Sequence, residues 1–344
     1  MDILNSLPGA LLPWYSENAR DLPWRKASSD PYPVWLSEIM LQQTRVEAVR
    51  GYYTRFLTAL PTIRDLARVD EDQLMKLWEG LGYYNRARNL KRAAQMIEAV
   101  YGGKFPETHE EILTLPGIGP YTAGAIASIC FSLPYPAVDG NVLRVYARLM
   151  EMEGAIDLPA VKKAVTDALT AILPPGESGA FNQAIMELGA MVCVPNGAPQ
   201  CGVCPLAHLC RARASGTQLK YPVRLEKRAR RPEEVTVFIL SCDVALAVIK
   251  RGDTGLLRGL WALPHVSGLL DEAGALEQAR AWGVDPLELT KSSERKHIFT
   301  HVEWEMRGFY LRCRVQSPRF TWVSADERSE RVALPTAFRQ FLGD

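Results

Sequence analysis

The sequence predicts two domains, an all-α domain over residues 1–222 and an α+β domain over residues 234–344, joined by a basic linker at 223–233. Three observations carry this. No strand pattern precedes residue 230, and the apolar spacing before it is helical. The stretch Tyr221 to Pro232, YPVRLEKRARRP, is polar, strongly basic and without an apolar period. Beyond it, β-rich runs alternate with turn signals. At 344 residues, each half is long enough to bury a core of its own.

In chain order, residues 7–25 carry Trp14, Tyr15, Pro23 and Trp24, and residues 27–33 are rich in turn formers. A strongly apolar helix is expected from about Val34 to Leu57. Glu38 lies inside it, flanked by Trp35, Leu36, Ile39, Met40 and Leu41. A carboxylate in such a setting is either solvated at a groove edge or held in a pocket with a raised pKa. Gln42, Gln43 and Thr44 follow within a turn; they suit base edges, although glutamine on a helix surface is common.

Residues 61–100 read as two or three helices, broken at Pro61 and at Gly80-Leu81-Gly82. Tyr83-Tyr84-Asn85-Arg86-Ala87-Arg88 then pairs aromatics with cations, a combination that can wedge between bases or pack one helix on another. The next break is Leu115-Pro116-Gly117-Ile118-Gly119-Pro120, which forces a tight turn before a small-residue helix from Thr122 to Ile129. Gly117 and Gly119 let the backbone approach another surface, and the amides opening the next helix can face an anion. An ordinary inter-helix turn has the same pattern. Asp139, before a helix starting near Val142, reads by itself as a cap. Further helices are expected at 108–114, 141–151, 159–172 and 179–192.

Seven cysteines include a group of four, Cys193, Cys201, Cys204 and Cys210, within eighteen residues. An odd total with one tight group argues for metal rather than disulfides. Four thiolates suit a cubane iron–sulfur cluster or a structural zinc. The spacing C-x7-C-x2-C-x5-C has only one CxxC pair, which favours the cluster. Cys130, Cys242 and Cys313 read as buried hydrophobes. In the second domain, strands are expected at Val235–Leu240 and Val244–Ile249 as a hairpin, then around 260–263, 287–291, 303–315 and 320–323. Helices are expected at 272–282 and 336–342.

Composition limits the partners. The chain is 47% hydrophobic and 23% charged, ordinary values for a soluble globular protein, and no apolar run reaches membrane-spanning length. The start, Met1-Asp2-Ile3-Leu4-Asn5, has no basic leader or cleavage site, so a cytoplasmic protein is expected. A net charge of +1, with 21 Lys and Arg against 22 Asp and Glu over residues 1–222, excludes a polycation that holds nucleic acid by bulk charge. Local patches would have to serve, and Arg86, Arg88, Lys91 and Arg92 form one, although a solvated helix face has the same pattern.

Several of these segments together resemble the adenine DNA glycosylases of the MutY type, in the helix-hairpin-helix glycosylase superfamily. They are WLSEIMLQQT at 35–44, GLGYY at 80–84, the hairpin at 115–124, VDGNV at 138–142, LGAM at 188–191 and the cysteine loop. The resemblance covers nearly the whole chain. It implies two helical subdomains with DNA and the active site between them, then a Nudix-like domain that recognises 8-oxoguanine. It further implies a monomer, associated with the nucleoid through duplex DNA that carries adenine opposite 8-oxoguanine or guanine.

By the same resemblance Glu38 is the general acid and Asp139 the carboxylate that stabilises the oxocarbenium ion, with Tyr121 near Asp139 and Asn141 on the water or leaving-group side. The chemistry asks for one carboxyl that keeps a proton and one that stays ionised, a division known from glycoside hydrolysis. An apolar setting for Glu38 and a helix N-terminus at Asp139 are expected to push their pKa values in opposite directions. Gln42, Gln43 and Tyr83 become contacts around the opposite base, and Gly117 and Gly119 hold a phosphate with a monovalent or divalent cation in the hairpin. The four cysteines become ligands of a [4Fe–4S] cluster. Phe299-Thr300-His301 matches a Phe-Ser-His loop that reads 8-oxoguanine, the hydroxyl being kept in Thr. No Lys lies between Lys104 and Lys162, which implies a monofunctional enzyme rather than an endonuclease III-type lyase. The first cysteine gap is seven residues where the family usually has six. The helix at 272–282 lacks the glutamates of a Nudix metal site.

Overall fold

The computed structural model of the chain describes residues 3–26, 30–226 and 229–343. Part of the expected turn at 27–33, two residues of the expected linker and the first two residues of the chain lie outside these. In order the helices are α1 (Leu7–Asn18), α2 (Pro31–Leu41), α3 (Val46–Ala59), α4 (Ile63–Arg68), α5 (Glu71–Leu77), α6 (Asn85–Tyr101), α7 (His109–Thr114), α8 (Pro120–Phe131), α9 (Gly140–Met150), α10 (Pro159–Thr170), α11 (Ser178–Met191) and α12 (Arg211–Ala214). Then come β1 (Arg231–Cys242), β2 (Ala245–Lys250), β3 (Trp261–Ala262), β4 (His265–Ser267), α13 (Glu272–Ala281), β5 (Pro286–Ile298), β6 (Val302–Cys313), β7 (Thr321–Val323), α14 (Ala325–Arg331) and α15 (Thr336–Arg339). Residue contacts divide the chain into two compact units. One holds the residues up to Arg68 with Arg88–Glu226, the other Val69–Ala87 with the residues from 227 onward.

Among its described residues the first unit is helical. Helix α11 packs on α1, α8 and α9, and α2 packs on α3 and α8. One core joins Leu7 and Leu11 of α1, Val142, Val145 and Leu149 of α9, and Phe181, Ile185 and Leu188 of α11, with Cys193, Cys204 and Cys210 against its side. The helix expected from Val34 to Leu57 is two helices. Gln42 leaves the helical region (ψ 111°) and Gln43 turns left-handed (φ +58°), so the chain bends at 42–45 without a Gly or Pro. Helix α1 forms although Pro13 lies inside it. In the hairpin Gly117 has φ +81°, and a Cβ there would stand 2.6 Å from Asn89 Cβ, so this position requires glycine. Gly119 is the ordinary extended N-cap of α8.

In the second unit a mixed sheet has the order β3-β2-β1-β6-β5, with β4 on β1 and β7 on β2. Strands β1 and β6 run parallel, while β2 returns antiparallel to β1 with Cys242 opposite Ala245. Val235, Val237 and Ile239 face a core closed by Phe338 and Phe341, while Phe238 and Leu240 face Ala275, Ala279 and Trp282. Burial on both faces explains why β1 reads as a continuous apolar run. Strand β1 begins inside the expected linker, at Arg231. Strand β5 runs seven residues beyond the expected Lys291, as an exposed polar edge held by its ladder to β6.

Residues of the helical-looking sequence at 69–87 pack in this unit. Lys76 Nζ donates to Glu79 at 2.7 Å and to the carbonyls of Arg328 and Val332, and Glu79 accepts the amide of Leu334 at 2.8 Å.

Candidate active site

Helix α2 starts where Asp30 accepts the amide of Tyr32, and all residues from Tyr32 to Met40 are buried. Glu38, 7% exposed, therefore sits in a helix buried on every side. Tyr121, in the first turn of α8, donates its hydroxyl to Glu38 Oε2 at 2.6 Å. Burial is the main influence on Glu38 and pushes its pKa up to about 7, with Asp139 adding to the rise and the Tyr121 hydrogen bond and Arg25 opposing it.

Asp139 caps α9. Its Oδ1 accepts the Val142 amide at 2.8 Å and its Oδ2 accepts Asn141 Nδ2 at 2.7 Å. The cap and the pocket carboxylate are one residue. Tyr121 bonds Glu38 with Asp139 near enough to act on its hydroxyl, and Asn141 bonds Asp139 on the wall of the same cleft. One expectation needs correction: the pKa values do not move in opposite directions, because burial raises Asp139 as well, outweighing its hydrogen bonds and Arg144. What separates the two groups is the number of donors on each carboxylate.

Both carboxyls line a cleft of about 1190 Å³, with Tyr121, Asn141, Gln42 and Gln43 also on its wall. Gly119 borders the cleft and Gly117 is not among its lining residues. Glu187, Lys162 and Lys163 are among the lining residues not singled out in the sequence. Glu187 of α11, 1% exposed on its side chain, pairs with Arg20 at 2.8 Å and with Arg25 at 2.8 Å. Burial would raise the Glu187 pKa, but the two guanidiniums win and hold it at about 2. A carboxylate in an apolar helix was the available signal, the one that drew attention to Glu38. Lys162 and Lys163 of α10 also line the cleft.

Helix α9 leads from the carboxyls to the cysteines. Arg144 Nη2 donates to Asn141 Oδ1 at 2.8 Å and to Gly189 O at 2.7 Å, and its Nε donates to Cys193 O at 2.8 Å. A Cβ on Gly189 would stand 2.6 Å from Asn141 Cβ, so the close approach of α11 and α9 requires glycine there. One turn on, Arg148 Nη1 donates to Val194 O at 2.9 Å and lies 3.3 Å from Cys193 Sγ. All four cysteines line one small apolar cavity. Among the described residues no three His, Cys, Asp or Glu side chains converge closely enough to hold a single metal ion. Burial pushes the Cys204 thiol up to about 11 and raises Cys210 too, so these two become thiolates only beside positive charge.

The other candidates lie in the second unit. Tyr83, 48% exposed and left-handed at φ +47°, brings its hydroxyl to 3.4 Å from Thr300 Oγ1. Phe299, Thr300 and His301 form the tip between β5 and β6, with Thr300 and His301 exposed. Arg86 does not present an outward cation. It donates to the carbonyls of Leu81 and Gly82 and lies over the rings of Trp78 and Tyr83, so it braces the turn that presents Tyr83.

Residues 36–171 match the HhH-GPD superfamily of base excision DNA repair proteins, and residues 235–344 match the NUDIX domain. The chain is 32% identical to human adenine DNA glycosylase, over 97% of this chain and 74% of that protein. It is 35% identical to the mouse adenine DNA glycosylase, over 96% of this chain and 77% of the relative. Among solved structures, a thermostable thymine-DNA glycosylase aligns with a TM-score of 0.57 at 29% identity, over 62% of this chain and 97% of the other. An endonuclease III in a non-covalent complex with DNA aligns with a TM-score of 0.53 at 26% identity, over 62% and 98%.

Proposed function

The chain belongs to the adenine DNA glycosylase family, and from that premise we propose that it excises adenine paired with 8-oxoguanine, or with guanine, from duplex DNA. As a base-excision repair glycosylase it must reach a base inside a duplex, so the adenine is flipped into the cleft. The observation that carries the reading is the buried carboxyl pair. Glu38 has one hydroxyl donor and a pKa raised to about 7, so it holds a proton up to neutral pH, while Asp139 accepts two hydrogen bonds that favour its charged form and has Arg144 nearby.

Tyr121 occupies Oε2 of Glu38 and leaves Oε1 to deliver the proton. Adenine is a poor leaving group until a ring nitrogen is protonated. Glu38 supplies that proton, the bond from C1′ to the base breaks with its electrons going to adenine, and positive charge develops on the sugar. Ionised Asp139 faces that charge, held in place by the Val142 amide and Asn141. Water then adds at C1′, as in glycoside hydrolysis.

The bent turn at Gln42 and Gln43 and the exposed Tyr83 support contacts around the gap and the opposite base, with Phe299, Thr300 and His301 reading 8-oxoguanine. The amides at Gly117 and Gly119 hold a phosphate, aided by a cation in the hairpin. Cys193, Cys201, Cys204 and Cys210 hold a [4Fe–4S] cluster. The four cysteines ring a common cavity, which supports their acting as one ligand set. The cluster, when bound, supplies the positive charge that keeps the thiolates ionised, and Arg148 stands against Cys193 beside it. The enzyme acts as a monomer.

A lysine-dependent lyase is the second reading, favoured by Lys162 and Lys163 on the cleft wall. Both are exposed and Lys163 is paired with Asp167 at 2.6 Å, so neither is enclosed in an apolar pocket of the kind that activates a lysine. Single-turnover assays on duplexes with adenine opposite 8-oxoguanine, adenine opposite guanine and thymine glycol opposite adenine test the choice. The proposal expects free adenine from the first two and strand breaks only after alkali. Cutting of thymine glycol without alkali, or trapping of the protein on DNA by borohydride, would establish the lyase instead.

A further inference from the structure

The 299–301 tip is tied down on its backbone. The Phe299 amide donates to Val302 O at 2.8 Å, Arg230 Nε donates to Phe299 O at 3.2 Å, and the Arg231 amide donates to His301 O at 3.0 Å. The Phe299 side chain turns inward. Its ring lies edge-on to Trp304 at 4.9 Å and 73°, and to His297 at 4.6 Å and 68°. Trp304 is buried, and its Nε1 donates to Glu233 Oε2 at 2.9 Å, while Arg231 Nη2 donates to the other oxygen, Oε1, at 2.6 Å. The Trp304 ring also meets Phe338 edge-on at 5.9 Å, and the Arg251 guanidinium lies 5.9 Å from it.

An indole with its N–H on a carboxylate and rings against its edges has one orientation. Phe299 takes its position from that indole, and the tip takes its position from Phe299. A hairpin tip without such an anchor wanders by more than the roughly 0.5 Å that a reading site tolerates. We infer that Trp304, locked by Glu233, is a positioning residue that sets the 299–301 tip for discriminating the base opposite adenine. This rests on the proposal that the tip reads that base. Trp304 acts through Phe299, and its effect is on selectivity rather than on bond breaking.

The test compares adenine excision opposite 8-oxoguanine and opposite guanine, at sub-saturating and saturating enzyme, for the full chain and three variants. Glu233→Ala removes the acceptor at a part-exposed site and leaves the core filled. Glu233→Gln keeps an acceptor, and Trp304→Phe keeps a ring without the N–H. The sub-saturating preference for 8-oxoguanine is expected to fall about tenfold in Glu233→Ala and Trp304→Phe. Glu233→Gln is expected to stay within about twofold of wild type. Rates at saturation should be unchanged, so the loss is in binding. A general loss of stability would lower both duplexes together and leave the ratio alone. Wild-type ratios in Glu233→Ala and Trp304→Phe would overturn the inference. A wild-type enzyme with no preference for 8-oxoguanine would instead overturn the reading of the tip.

Discussion

The Tyr121 hydroxyl stands 2.6 Å from Glu38 Oε2, and among the described residues this is the carboxyl's one side-chain hydrogen bond. Asp139, a few side chains away in the same cleft, accepts two. Burial lifts both acids, and the donors on Asp139 oppose that rise by favouring its charged form. The proposed division of labour between general acid and charge stabiliser rests on that difference in donors.

Tyr121→Phe removes a hydrogen bond that favours the ionised form of Glu38, so the Glu38 pKa moves further up. The alkaline limb of the single-turnover rate should shift to higher pH, and the rate at pH 7 should fall about tenfold because the acid is no longer oriented. A pH-rate profile of the variant on adenine opposite 8-oxoguanine checks both.

Glu38 should also cost stability. Its folded pKa of about 7 lies above the ordinary 4.5, so its contribution is complete below about pH 4.5 and is lost as pH rises through 7. By pH 8 the buried charge has cost about 3 kcal/mol. Glu38→Gln is therefore expected to unfold at higher urea than wild type at pH 8, with the two converging at pH 5.

Glu187 has the opposite sign. Held at about 2 by Arg20 and Arg25, it stabilises the fold above its ordinary 4.5, and that contribution is lost as pH falls from 4.5 towards 2. Glu187→Gln leaves two guanidiniums partly unpaired and should lower stability by about 3 kcal/mol at pH 7. Urea unfolding at pH 7 and pH 3 should show that gap closing.

Arg144 satisfies Asn141 Oδ1 and three backbone carbonyls from a buried position. An ammonium cannot span these, so Arg144→Lys should lose about 2–4 kcal/mol of stability. It should also slow excision, because Asn141 then holds Asp139 less firmly. Thermal melts and single-turnover rates measure the two effects separately.

The sequence carried the helical and α+β halves and the hairpin, because each rests on local period or turn chemistry. It also singled out Glu38 and Asp139. It did not carry side-chain direction: which carboxyl Tyr121 touches depends on how α8 meets α2, and Arg86 looks the same in sequence whether it faces phosphate or braces a turn. The bend at Gln42–Arg45 has no Gly or Pro to announce it, and α1 hides behind Pro13. Strand β5 beyond Lys291 is polar on both faces and is held by pairing rather than burial. Helix α14 was legible but missed, since Ser324 and Glu327 form a capping box. The Glu187 triad joins residues more than 160 apart in the chain, a pairing that no local pattern contains.

The most direct test is the single-turnover rate of adenine release from a duplex with adenine opposite 8-oxoguanine, followed from pH 5 to pH 9, for wild type and Glu38→Gln. The expected wild-type profile has an alkaline limb that falls near pH 7, where Glu38 loses its proton. Glu38→Gln should be slower by about a thousandfold or more, with the alkaline limb gone. A variant that keeps near-wild-type rates, or keeps the limb at pH 7, would contradict the assignment of Glu38 as the acid.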